Sequence, residues 1–450
     1  MSSPTLIVRR ALLGERELSL AGSLHWQACQ TEVLTAAVFF VTTAVGMPEV
    51  SDSPIPLQPV RPRLENIDVL RGLVMVVMAL DHTRDFVSHD ALLFRPLDLT
   101  QTYAALFLTR WITHFCAPVF CFLAGTAAFL SSTRGKTKTD LARFLITRGL
   151  WLVLLELTVI QFAWTFNFDT HFRVGGVIWA LGWSMIALAA LIYLPVWAIT
   201  TFAIVMIGTH NLFDSVPPEA FGSLGWLWNV LHAGNPIELS PTFIFYVQYP
   251  LVPWIGVMAA GYAYGAVVKL DRPRRRRRTL WLGIILCAAF VVIRATNLYG
   301  DPFPWSRQQS LLFTVFSFIK CEKYPPSLLY LLMTLGPSFI VLALLDRDLG
   351  KFWRPFIVFG RVPLFFYIVH LFVIHAIALL ISYLRYGGPS GLFVGPLFQG
   401  EAGPLYPPDY GFGLAGVYAV WLFVVIALYP VCRWFAELKR RRHGGWLSYL

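Results

Sequence analysis

Apolar stretches of about 20 residues recur along this sequence, each long enough to carry a helix across a hydrocarbon core of roughly 30 Å. Ten such spans can be read, near residues 69–87, 107–130, 145–164, 175–194, 196–212, 250–268, 279–297, 326–345, 356–381 and 413–434. Hydrophobic residues make up 57% of the chain and charged residues only 14%, against the ~25% charge of an ordinary soluble domain. That distribution excludes a soluble enzyme, a disordered chain and a small disulfide scaffold. The expected fold is all-α, a polytopic transmembrane helical bundle. The six cysteines form no C-x-x-C pair, so neither a disulfide framework nor a metal site is signalled.

The formal net charge of +11 is explained by where the basic residues fall. Lys and Arg concentrate in alternate loops: Arg134 to Arg143, Lys269 to Arg278, Arg347 to Arg354, and the tail Arg433 to Arg442. The intervening loops hold Arg84, Arg95, Arg110, Arg173, Arg294, Arg307, Lys320, Lys323 and Arg385, and the 213–249 loop holds none. Because basic loops stay cytoplasmic, both termini are expected inside. Nucleic acid is not needed to account for the charge. The five-arginine run 274–278 reads as a stop-transfer signal and anchor for anionic membrane lipids, with the phosphates of a cytosolic cofactor as the alternative. Residues 1–60 read as an N-terminal extension and linker before a single 61–450 domain. Within the extension, 1–46 could precede a true start at Met47.

Ionisable residues at bilayer depth are costly, so each is a functional candidate. In the first span, Asp68, Arg71, Met75, Met78, His82 and Asp85 fall on one helical face. Asp68 and Arg71 also suit a plain i,i+3 ion pair. Asp81 stands beside His82, and a carboxylate next to an imidazole can orient it for proton or acyl transfer. Helical rise brings His82, His114, Glu156, Arg294 and His370, from five different spans, to similar depth in the outer half of the bilayer. Together they suggest a polar chamber between helices. His375 falls on another face and is set aside. No H-E-x-x-H, G-x-S-x-G or phosphate-cradling glycine loop is present, so no metal is expected.

Six blocks carry a family resemblance: RLENIDVLRGLVMVVMALDHTRDF, RWITHFCAPVFCFLAG, YPLVPWIGVMAAGYAYG, KYPPSLLYLLMTLGP, GRVPLFFYIVHLFVIHA and CRWFAELKRRRHGGWLSYL. In this order they resemble the heparan-α-glucosaminide N-acetyltransferase-like membrane proteins, and specifically their bacterial branch. The resemblance implies a transmembrane acyltransferase that moves an acyl group, acetyl foremost, from cytosolic acetyl-CoA to an extracytoplasmic sugar or glycan acceptor, in a bacterial inner membrane. In the animal relatives the key histidine lies in the loop between the first two spans and precedes a Trp-Asn-Gly stretch. Here that loop has His89 without Trp-Asn-Gly, while His82 stands where those enzymes carry an asparagine and His114 where they carry an aspartate. The expected catalytic set is therefore His82, His114 and Asp81, with His89 behind them. Asp85, Glu156, Arg294 and His370 would line the chamber, and Arg71 and Arg361 would meet the CoA phosphates. The alternatives are a transporter or flippase of a small amphiphile or glycan, or an inactive membrane relative.

Overall fold

The computed structural model describes residues 64–133, 135–169, 171–394 and 406–441. The N-terminal extension, with its possible internal start, lies outside the described residues, as do Arg134 and Arg442. Numbered in chain order, the principal helices begin with α1 (Glu65–Val87), α2 (Ala104–Ile112), α3 (Cys116–Ser132), α4 (Lys138–Leu155), α5 (Val177–Leu191) and α6 (Val196–Thr209). There follow α7 (Leu251–Val268), α8 (Arg272–Thr296), α9 (Leu311–Ile319), α10 (Leu328–Leu344), α11 (Arg354–Arg361), α12 (Pro363–Tyr386) and α13 (Leu414–Arg441). Among the described residues seven helical stretches are long and apolar enough to cross a membrane, and α5 and α10 are shorter apolar helices. The chain is an integral multi-pass membrane protein. Helix α1 has the length, 23 residues, but carries too many charges to qualify by composition; most of those charges are turned into the protein.

Local chemistry sets several helix boundaries. Thr137 and Asp140 form a reciprocal capping box at the start of α4. Ser327 accepts from the Tyr330 N–H to open α10. Asp271 and Pro273 start α8 early, so the arginine run occupies its first turns and is not a loop. Val362, which precedes Pro363, is pushed out of the helical region (φ −131°, ψ 49°). That break separates α11 from α12 and leaves Arg361 at the end of α11.

Helix α1 packs against α3, α10, α11, α12 and α13. Its carbonyls at Val74 and Val76 accept from the Cys116 thiol and the Trp421 indole. Several crossings depend on reciprocal glycines, two of them at the helices around the site. A Cβ on Gly125 of α3 would fall on the Met258 carbonyl of α7, and one on Gly261 would fall on the Phe122 carbonyl. Gly72 and Gly360 stand in the same relation between α1 and α11. Such close backbone approach is how membrane helices gain contact where lipid offers no hydrophobic drive. Replacing Gly261 with leucine should therefore destabilise the protein by about 3 kcal/mol or more. Gly208→Ala, where a Cβ meets nothing within 4 Å, should stay within about 0.5 kcal/mol. Thermal unfolding in detergent would separate the two.

The sequence pattern did not disclose a small sheet in the connections. Strand β1 (Phe172–Val174) runs parallel to β3 (Phe243–Tyr246), and β3 runs antiparallel to β2 (Pro236–Ser240), in the order β1-β3-β2. Phe172 pairs with Ile244 and Pro236 with Tyr246, with an irregularity between Glu238 and Ser240. Strands this short carry too few alternations to register as a period.

Candidate active site

The C-terminal half of α1 gathers most of the predicted residues. Asp81 is buried, and its two carboxylate oxygens lie 2.7 and 2.6 Å from Nη1 of Arg110 on α2. Arg84, one turn along α1, brings Nη2 to 2.9 Å from Asp81 and 2.5 Å from Asp85. Arg84 is 1% exposed, and its Nε and Nη1 have no hydrogen-bond partner among the described residues. Lys323, also buried, acts electrostatically on Asp81, His82 and His114. Arg84, Arg110 and Lys323 had been counted as loop charges. They are instead the cations that make a buried Asp81 tenable.

Neighbours on a helix diverge by about 100°, so His82 faces a different way from Asp81. Its Nδ1 lies 2.7 Å from Nε2 of His370 on α12, and the two rings lie nearly parallel, edge to edge, with centroids 5.0 Å apart. Nδ1 of His370 is in turn 2.7 Å from the Phe366 carbonyl. A carbonyl can only accept, so with both rings neutral the protons are assigned. His370 Nδ1–H donates to Phe366, and His370 Nε2 accepts from Nδ1–H of His82. This leaves the lone pair of His82 on Nε2. Trp164 and Tyr367 stand edge-on to His82, at 4.9 and 5.8 Å, and His82 itself is half-buried. The orientation of His82 thus falls to His370, with Asp81 committed to its arginines.

His114 is 1% exposed, at the kink between α2 and α3. Its carbonyl accepts from the Tyr330 hydroxyl at 2.8 Å, its ring meets Tyr330 edge-on at 5.5 Å, and its Nδ1 has no partner among the described residues. Tyr330, Tyr249 and Tyr324 extend this group, the last two with hydroxyls 3.5 Å apart. By sequence Tyr249 and Tyr324 read as an interfacial belt that also fits the walls of a substrate cleft above the chamber, whereas nothing there singles out Tyr330 or Lys323. The Pro- and Tyr-rich blocks QYPLVPW and EKYPPSLLY were the available signal.

Glu156 and Arg294 are placed differently. Glu156 opens a π-helical turn after α4, and its Oε2 accepts from the Ile178 N–H at 3.0 Å, capping α5. Its charge acts through space on Tyr367, which stands edge-on to His82. Arg294 donates to the carbonyls of Phe318, Phe303, Ser317 and Lys320 and stands 3.6 Å from Asp301. Asp301 accepts from the Glu322 N–H and the Ser327 hydroxyl. Glu322 accepts from the N–H groups of Lys323 and Tyr324, and burial raises its carboxyl above the ordinary range. Arg294 therefore holds the loop that presents Lys323 and Tyr324. His89 sits beyond α1, with Nδ1 2.9 Å from the Tyr410 carbonyl. His375 stacks on Phe166 and bonds the Ala163 carbonyl.

The other end of α1 carries a second group. Arg71 donates to the Gly360 carbonyl at 3.1 Å and lies 3.6 Å from Asp68, while Arg361 approaches Asp68 at 3.8 Å with its side chain 38% exposed. Arg71 and His82 are eleven positions apart, about 16 Å along the helix. Among the described residues no group of His, Cys, Asp or Glu is placed to hold a metal ion.

A family model described as heparan-alpha-glucosaminide N-acetyltransferase, catalytic, matches residues 63–299, just over half of the chain. The chain belongs to this family. The family is one of membrane acetyltransferases that use acetyl-CoA. No curated protein matches the chain. The matched region begins where the described fold begins and contains Asp81, His82, Arg110 and His114. His370, Lys323 and Arg361 come from beyond it and complete the two groups at the ends of α1.

Proposed function

We propose that this protein moves an acetyl group from acetyl-CoA, held at the Arg71–Arg361 end of α1, to an amine or hydroxyl of a sugar or glycan at the His82 end. The observation that carries this reading is the chain from Phe366 through His370 to His82, which leaves a basic nitrogen on a half-buried imidazole. In this reading Nε2 of His82 takes the acceptor's proton as the acceptor heteroatom attacks the thioester carbonyl, the carbon–sulfur bond breaks and CoA leaves as its thiol; alternatively Nε2 itself attacks, CoA leaves in the same way, and the acetyl group then passes from Nε2 to the acceptor. His114 supplies a proton or orients the acceptor, and Asp81 with its arginines sets the field around them. Asp85 and Arg84 bound the same space. Glu156 and Arg294 hold the helix ends and loop that shape it.

Arg71 and Arg361 suit the CoA diphosphate, with the pantetheine arm running along α1 toward His82. The basic loops support a cytoplasmic donor side and an extracytoplasmic acceptor side, and the resemblance to the family's bacterial branch points to a bacterial inner membrane. Transfer of labelled acetyl from acetyl-CoA in membranes containing the protein tests the reading. Arg71→Gln and Arg361→Gln should each raise the KM for acetyl-CoA about tenfold, the loss of one charge-assisted hydrogen bond. Unchanged KM in both variants would remove these arginines from the donor site. A carrier of amphiphiles, the competing reading, would not be stabilised by CoA.

A further inference from the structure

We propose that one face of α8 is a docking surface for anionic phospholipid. Taking Trp281 as reference and ~100° per residue, Arg274, Arg277 and Arg278 fall within about 60° of it. So do Ile284, Ile285 and Val292 further along. Gly283, Phe290 and Arg294 point the opposite way, and all three are buried. The outward stripe is open: Trp281 is 52% exposed and Val292 65%, and the three arginines are exposed. It changes in order from guanidinium to indole to aliphatic, the sequence of environments from headgroup through interface to acyl chain.

Two of the neighbouring basic residues, Arg275 and Arg272, are already committed. Arg275 holds Asp346 at 2.8 Å through two nitrogens, and Arg272 holds Asp348 at 2.9 Å. Arg274 keeps only an exposed contact with Asp271 at 3.5 Å, of the kind that contributes little. Arg277 and Arg278 have no ion-pair partner among the described residues. The stripe therefore presents unneutralised positive charge directly above a lipid-facing apolar surface. A phospholipid with an anionic headgroup complements both halves at once; a free phosphate or the phosphates of CoA would use only the upper one.

The test is a titration of phosphatidylglycerol and phosphatidylcholine into the detergent-purified full chain, read by thermal shift. Phosphatidylglycerol should stabilise the protein and phosphatidylcholine should not. In R274Q/R277Q/R278Q the phosphatidylglycerol midpoint should rise about a hundredfold, roughly fivefold for each guanidinium. In R440Q/R441Q, which removes an exposed pair held by Glu437, it should stay unchanged. The triple variant should also keep its stabilisation by acetyl-CoA. Equal stabilisation by the two lipids, or an unmoved midpoint in the triple variant, would overturn the proposal. So would loss of the acetyl-CoA response with the lipid response intact, which would assign the face to donor phosphates.

Discussion

Replacing His82 with glutamine is expected to reduce acetyl transfer by about 10²–10⁴-fold, the usual worth of a positioned base. Glutamine keeps a side-chain N–H that can point at His370, so folding should be retained while the basic nitrogen is lost. The loss should fall on kcat, with the KM for acetyl-CoA little changed, because the donor is bound at the other end of α1. His370→Gln should cost less, about ten- to a hundredfold. There His82 survives but no longer has its tautomer set by the link to the Phe366 carbonyl. Added imidazole should restore part of the activity of His82→Ala and none of that of His370→Gln. Steady-state kinetics on reconstituted protein reads all of this. A His82→Gln enzyme within threefold of the native rate, combined with an inactive His114→Ala, would transfer the role to His114. Full activity in the His82→Ala, His114→Ala double variant would end the assignment of either histidine.

The helices were legible because crossing lipid demands long apolar runs, and little else in a sequence looks like one. The depth of the polar residues was legible for the same reason, since rise per residue is fixed. What depth cannot give is azimuth between helices. His82 and His370 were read at neighbouring depth, yet their hydrogen bond joins positions 288 apart and depends on how α1 and α12 are rotated. Asp81 and His82 illustrate the converse: adjacency in sequence suggested a pair, and helical geometry sends the two side chains to different partners. Nearness to the span edges puts Arg84, Arg110 and Lys323 in aqueous loops by sequence, whereas Asp81 draws two of them into the protein. An acid at bilayer depth needs counter-charge, and Arg84 at i+3 was the visible signal. Glu156 shows another limit, because a single π-helical turn leaves no compositional mark.

The second large effect concerns that ion cluster. Asp81→Asn keeps the size of the side chain but leaves the half-buried Arg110 without its charge partner, while Arg84 retains Asp85. Breaking one side of a buried pair costs about 3–5 kcal/mol, because the remaining charge has neither water nor a counter-ion. Removing both sides is a different perturbation. In Asp81→Leu with Arg110→Met the desolvated charge is gone as well, and most of the stability should return. Thermal unfolding of Asp81→Leu, Arg110→Met and the double variant gives the coupling directly. Activity should not follow stability back. If Asp81 and Arg110 set the field at His82 and His114, the refolded double variant remains at least tenfold slower than the native protein. The deficit should lie in kcat, with acetyl-CoA binding intact. Should the double variant recover both stability and rate, the ion cluster is scaffolding for α1 and α2, and the chemistry belongs to the histidines alone.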